Sequence, residues 1–191
     1  MEERQLNEKD SLELIARMIQ NTRQKMEKSH GVPFLVWGYT TIVISLLVWY
    51  FLSATGDYRV NYLWFLIPLI GAPLMFFFIQ KHEKGVRTYI DRVIGYIWLV
   101  LGIAALVISV AAMFFWNFPI LFVVILLMGS GTAITGLIVH FRPIIVAGFG
   151  GILLSLACLL VHGTNSILIF AGLFLLMMVV PGHILYAKGR R

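Results

Sequence analysis

Residues 93–115 read VIGYIWLVLGIAALVISVAAMFF, a run without one charged side chain, preceded by Asp91 and Arg92 and followed by Trp116 and Asn117. A hydrocarbon core about 30 Å thick takes about 20 mostly apolar residues per spanning helix. The run therefore predicts a helix that crosses a bilayer. Working outward, five more segments meet the same length and composition, so the expected spans are 33–54, 62–80, 92–116, 118–141, 143–162 and 165–187. The expectation is an all-α polytopic membrane protein of six transmembrane helices.

The whole-chain composition agrees. Of 191 residues 60% are apolar and 13% charged, against about 25% charged in soluble domains. Half of the 15 Lys/Arg and 9 Asp/Glu lie in residues 1–30, which leaves the remainder with too little polar surface to face water. A soluble globular enzyme, a disordered chain and a collagen-like repeat are excluded. A disulfide scaffold is excluded as well, because Cys158 is the single cysteine. Two units follow: a cytoplasmic amphipathic helix over 1–30 and a six-helix transmembrane domain over 31–191.

Short connections at 53–61, 81–91, 117, 142 and 163–164 predict antiparallel neighbours, written as three hairpins over 31–84, 85–141 and 142–191. Pro33, Pro119 and Pro143 are expected in or beside first turns, where a missing N–H costs nothing. Basic loops resist translocation. With the N-terminus inside, fourteen Lys/Arg fall on the inner side and Arg59 alone on the outer, so both termini are expected in the cytoplasm. Residues 1–30 lack the form of a cleavable signal, which makes the first span the insertion signal. Trp49, Tyr50, Tyr58, Tyr62, Trp64, Trp116 and Phe118 are expected to form the outer aromatic belt. Compact loops and this charge bias point to a bacterial inner membrane.

In the N-terminal helix, Asp10 and Glu13 have capping-box spacing, and Leu12, Ile15, Ile19, Thr22 and Met26 recur at 3-4-3-4. Residues 1–13 carry net −3 and residues 14–30 net +3. Two uses fit this narrow stripe. One is an interfacial helix leading into the first span; the other is a seam, Leu12, Ile15, Ile19 and Met26, for a cytoplasmic protein partner or a second copy. Six basic against six acidic residues is a poor match to anionic lipid. No direct contact with nucleic acid is expected.

No Asp, Glu, Lys or Arg lies inside a span away from its ends, although such groups at depth mark proton relays and ion paths. Proton-coupled transport by a buried carboxylate, and enzyme chemistry beyond what His or Tyr supports, are not expected. His82, His140 and His183 share the inner boundary without metal-ligand spacing, so no metal, haem or other cofactor is expected. Together with Gly38-Tyr39, Gly95-Tyr96 and Gly148-Phe149 they suggest an internal triplication of hairpins. Small-residue rows (Ala147, Gly151 and Ser155; Gly129 with Ala133; Thr132 with Gly136; Ala105 with Ser109) predict close packing of spans three to five. Pro68, Gly71 and Pro73 in the second span, and Gly129-Ser130-Gly131 in the fourth, predict a pair of interrupted helices. Such a pair is a candidate midplane site for a small transporter or channel, with the Trp64 and Leu69 carbonyls freed by the prolines.

The stretch Leu12 to Thr22, then Pro33-Phe34-Leu35-Val36-Trp37-Gly38-Tyr39, then Thr88-Tyr89-Ile90-Asp91-Arg92-Val93-Ile94-Gly95-Tyr96, resembles a group of uncharacterised small multi-pass membrane proteins of the Bacteroidota over nearly the whole chain. The resemblance implies the same architecture and inner-membrane location, and transfers no catalytic residue. Members of that group are often encoded beside a small winged-helix regulator, which implies a cytoplasmic partner. The expected function is that of a non-enzymatic membrane component.

Overall fold

The structure, a computed structural model, describes residues 8–82, 89–115 and 118–188, and for 8–12, 14–30 and 79–82 it describes the backbone only. The described residues are helical throughout apart from short turns, with no strand. The order is α1 (Glu8–Thr55), a 3-10 helix (Tyr58–Phe65), α2 (Leu66–His82), α3 (Tyr89–Phe114), α4 (Ile120–Val139), α5 (Arg142–Leu154), α6 (Ala157–Leu160), α7 (Ser166–Phe174), a π turn (Leu175–Val179) and α8 (Val180–Lys188). Six stretches are long and apolar enough to cross a membrane: Gly31–Thr55, Tyr58–Phe78, Tyr89–Phe114, Ile120–Val139, Arg142–Leu160 and Ser166–Lys188. They match the expected spans to within a few residues, and the chain is built as a multi-pass membrane protein.

Proline placement separates two expectations. Pro119 caps α4 and Pro143 sits in the first turn of α5, as expected. Pro33 does not start a helix: α1 runs through it for 48 residues without a break. An interior proline costs about 3 kcal/mol in an isolated helix, and packing on both sides opposes that cost here. Before it, Gly31 lies so close to Tyr186 and Gly182 of α8 that an added Cβ would sit 3.0 Å from the Tyr186 backbone nitrogen. After it, Phe34 is buried against the edge of Trp98, with ring centroids 5.8 Å apart.

Contacts fix the register of the bundle. Gly31 meets Tyr186 and Gly38 meets Val179, so α1 and the sixth span run antiparallel. Trp98 bonds Thr135 while Leu101 fills Gly131, and Gly136 meets Ile145 while Gly129 meets Ile152, so α3 with α4 and α4 with α5 run antiparallel too; Trp37 covers Gly71 and Gly151 meets Met177. Gly31 of α1, the start of α3, the α4–α5 turn and the end of α8 therefore lie at one end of the bundle. That end carries Arg92, Arg142 and Lys188, whereas Arg59 lies at the other.

The spans are not equally central. In the most apolar stretch of each span, 50% of the first and 56% of the sixth is buried inside the bundle, against 6% of the second and none of the third. The core consists of Phe34, Ile125, Phe141, Ile144, Cys158, Phe170, Phe174, Met177, Met178 and Leu185, from α1 and α4 onward. The second span leans on α1 and the third on α4. Packing thus differs from three independent hairpins. The most extensive partner of α1 is the sixth span, and that of α4 is α5, whereas α2 and α3 are not among the extensively packed pairs of the described residues.

The buried polar residues among those described all bear hydroxyls: Thr41, Ser45, Thr132, Thr135 and Ser155. Four of these donate to the carbonyl three or four residues back, as in Ser45 to Thr41 (2.7 Å) and Thr135 to Gly131 (2.8 Å). A backbone carbonyl is the partner available where neither water nor a charged side chain reaches.

Candidate functional site

The expected seam residues Leu12, Ile15, Ile19 and Met26 have side chains outside the described residues. Their backbone belongs to α1, so they stand on the same uninterrupted helix as the first span.

The expected midplane residues do not come together. Gly71 is covered by the Trp37 ring, Gly129 lies against Ile152 and Gly148 of α5, and Gly131 is filled by Leu101 with Trp98 beside it. Pro68 falls in the first turn of α2 and Pro73 within it, and Pro73 is exposed on the outside of the bundle. The Trp64 carbonyl, expected to be freed, accepts the Leu66 N–H. Helix α4 continues through Gly129-Ser130-Gly131 without interruption, correcting the expected break in the fourth span. The physical reason is that glycines in a lipid-embedded helix admit bulky neighbours, and each of these has one.

The discontinuities lie elsewhere, in spans five and six. At Ser155 the hydrogen bonds tighten: Leu156 N–H donates to Leu153, Cys158 to Ser155 and Leu159 to Leu156, each three residues back, while the Ser155 hydroxyl takes the Ile152 carbonyl at 2.6 Å. Facing this, the sixth span widens into the π turn, with Met177 and Met178 buried. No proline or glycine pair stands at Ser155, but the π turn precedes Pro181-Gly182, and Pro181 lacks the N–H that would bond the Met177 carbonyl, a signal in the sequence outside the expected breaks. A shallow apolar groove of about 190 Å³ lies between them, lined by Ala147, Gly151, Leu173 and Met177 among others.

The rows of the fourth span pack against the fifth, but the fifth span's expected row turns toward the sixth, Gly151 meeting Met177 and Ala147 lining the groove beside Leu173, and Gly148, outside that row, makes the close approach to α4. A Cβ on Gly148 would collide with the Ala133 backbone, and one on Gly136 would sit 2.6 Å from the Ile145 nitrogen. The third span joins differently from expectation. Instead of the Ala105–Ser109 row, Leu101 fills the notch at Gly131, and the Trp98 indole N–H donates to the Thr135 hydroxyl at 3.1 Å. The glycines of the proposed repeat have unequal surroundings: Gly38 meets Val179, Gly148 meets Ala133, and Gly95 has open space.

One polar pair is brought together across the bundle. The Tyr39 hydroxyl and His183 Nε2 are 2.7 Å apart, joining α1 to α8 near the end that carries Lys188. Tyr39 also lines a larger apolar groove, about 340 Å³ and open on one side, formed by Val32 and Val36 of α1, Leu74 and Phe78 of α2, and Tyr186 of α8. Each of Tyr39 and His183 stands out in the sequence, but their pairing depends on the closure of the first span on the last, which no loop length reveals. His140 adopts a left-handed conformation (φ 55°) that ends α4, its Nδ1 3.1 Å from the Ile138 carbonyl. The His82 side chain lies outside the described residues. Among those described, no three His, Cys, Asp or Glu side chains form a metal-binding group. Of the expected belt, Tyr50, Tyr58 and Tyr62 are exposed. Trp64 turns inward onto Phe170, with centroids 5.5 Å apart, and Trp49 packs beside Ile44 and Val48 with its indole N–H buried and unpartnered among the described residues.

Comparison of the chain with models of protein families, with curated proteins and with solved structures finds no match in any of the three.

Proposed function

We propose that this is a non-enzymatic component of a bacterial inner membrane, both termini cytoplasmic, whose N-terminal helix docks a cytoplasmic protein or a second copy of the chain. The observation that carries the reading is the continuity of α1. The stripe Leu12, Ile15, Ile19 and Met26 belongs to the same helix as the most deeply engaged part of the first span, so a partner bound to the stripe is coupled to the bundle core. The stripe has the 3-4 spacing of a helix-pairing seam, and its charge balance suits a protein surface better than anionic lipid. A photo-crosslinker at Ile15 or Ile19 in living cells should yield a discrete protein adduct. Adducts to lipid alone would remove the proposal.

A small transporter or channel is the second reading, supported by the facing discontinuities at Ser155 and at Leu175–Val179. It requires that Gly151→Cys and Met177→Cys react with a water-soluble thiol reagent in the folded protein. Protection of both positions would dismiss it.

A further inference from the structure

The smaller groove, between α5 and the sixth span, has two cations at one end. Met177 lies against Gly151, and the Lys188 Nζ lies over the Phe141 ring, 5.1 Å from its centroid. The two helices therefore run antiparallel, with the Arg142 end of α5 beside the Lys188 end of α8. Between them the groove follows α5 from Val146 to Leu154, about 12 Å at 1.5 Å per residue, with Leu176 and Met177 on the opposite wall. Gly150 lines it, and a Cβ there would meet nothing within 4 Å, so the trough is open along its middle. Val146, Leu154 and Leu176 are exposed on the outside of spanning helices, so in a bilayer the groove faces hydrocarbon.

The two cations stand on the rows that form the trough. Arg142 precedes Val146 by one turn on α5, on the row that continues through Gly150, and its side chain is exposed. On α8 the exposed Val180 and Ile184 extend the apolar surface along the row that ends in Lys188. The contact with Phe141 turns the Lys188 ammonium toward the residue next to Arg142. After Asp91 every charged side chain in the sequence is basic, so this end of spans five and six has one sign of charge. An apolar trough open to hydrocarbon that ends at an arginine and a lysine is complementary to one amphiphile: a hydrocarbon chain along the helices and a phosphate at their basic end.

We infer that the groove between α5 and the sixth span holds one acyl chain of an anionic glycerophospholipid, with the headgroup phosphate at Arg142 and Lys188. The site is independent of the docking role of the N-terminal stripe. The full-length protein, purified in mild detergent, is exposed to phosphatidylglycerol or to phosphatidylcholine of identical chains, and bound lipid is counted by native mass spectrometry. Wild type should retain one phosphatidylglycerol per chain in preference to phosphatidylcholine. Gly150→Leu, which fills the trough from a position with open space, should lower retention of both lipids roughly tenfold. Gly102→Leu, at an equally open position on α3, should not. The paired change Arg142→Gln and Lys188→Gln should reduce the preference for phosphatidylglycerol about fivefold per charge removed, because each basic residue near an anionic surface contributes that factor. Arg59→Gln, at the other end of the bundle, should leave the preference unchanged. Arg142 and Lys188 lie outside the trough, so they decide the question even if Gly150→Leu fails to purify. Equal retention of the two lipids by wild type, unchanged retention in Gly150→Leu, an unchanged preference in the paired variant, or a dimer that Gly150→Leu dissociates would each overturn the inference.

Discussion

Gly148 shows how much a single hydrogen atom decides in this bundle. A side chain there would run into the backbone of Ala133, so α4 and α5 approach as closely as they do because Gly148 and Gly136 lack Cβ atoms. In lipid, where the hydrophobic effect gives helices no reason to associate, this contact is a main source of cohesion. Gly148→Val should destabilise the folded state in detergent by about 2–3 kcal/mol, whereas Gly150→Ala, with open space at its Cβ, should unfold with wild type. Denaturant unfolding followed by tryptophan fluorescence reads the difference. The half-buried indoles of Trp98 and Trp49 make a second pair. Trp98 donates to Thr135, and Trp49 has a buried N–H with no partner among the described residues. Trp98→Phe should therefore cost about 1 kcal/mol more than Trp49→Phe, because only the first loses a hydrogen bond. Equal costs would show that neither indole N–H matters to stability. At this scale the small-residue rows were legible, because backbone approach demands glycine or alanine. The bulky side chain that fills each notch was not, because Trp37 and Leu101 arrive from helices whose neighbours the local sequence does not specify.

The individual helices divide in the same way. Span positions followed from hydropathy and length, which the bilayer imposes directly. The interruptions did not. Pro73 remains inside α2, and Gly129-Ser130-Gly131 inside α4, while the real irregularities lie at Ser155, where no helix-breaking residue stands, and at Leu175–Val179, one turn before Pro181. Spans five and six pack against each other there: a tightened turn whose serine hydroxyl donates to the Ile152 carbonyl faces a widened turn, four residues before Pro181, that holds Met177 against Gly151. Helix α1 carries the clearest prediction at this scale. A continuous helix places Ser11 and Ser53 about 63 Å apart at 1.5 Å per residue. Spin labels at these positions in a nanodisc should give a distance near that value, and a short or broad distribution would mean that the helix bends or breaks near Pro33.

For the molecule as a whole, the fold is a closed arrangement in which the first and last spans meet, spans four and five seal beside them, and spans two and three stand on the outside. Short loops suggested antiparallel neighbours along the chain, and α4 and α5 pack so, whereas α2 and α3 are not among the extensively packed pairs of the described residues; loop length carries no information about closure of the first span on the sixth, because that contact joins residues separated by most of the sequence. The Tyr39–His183 pair and the large groove exist only by virtue of that closure. Sidedness is where the charge pattern and the docking proposal depend on one another. In a Cys158→Ser background, single cysteines at Ser11, Arg59, Arg142 and Lys188 can be reacted in intact cells with a maleimide that does not cross membranes, and again after permeabilisation. The account predicts that Arg59→Cys reacts in intact cells and that the other three react only once the membrane is opened. Labelling of Arg59→Cys and Lys188→Cys from the same side would contradict it.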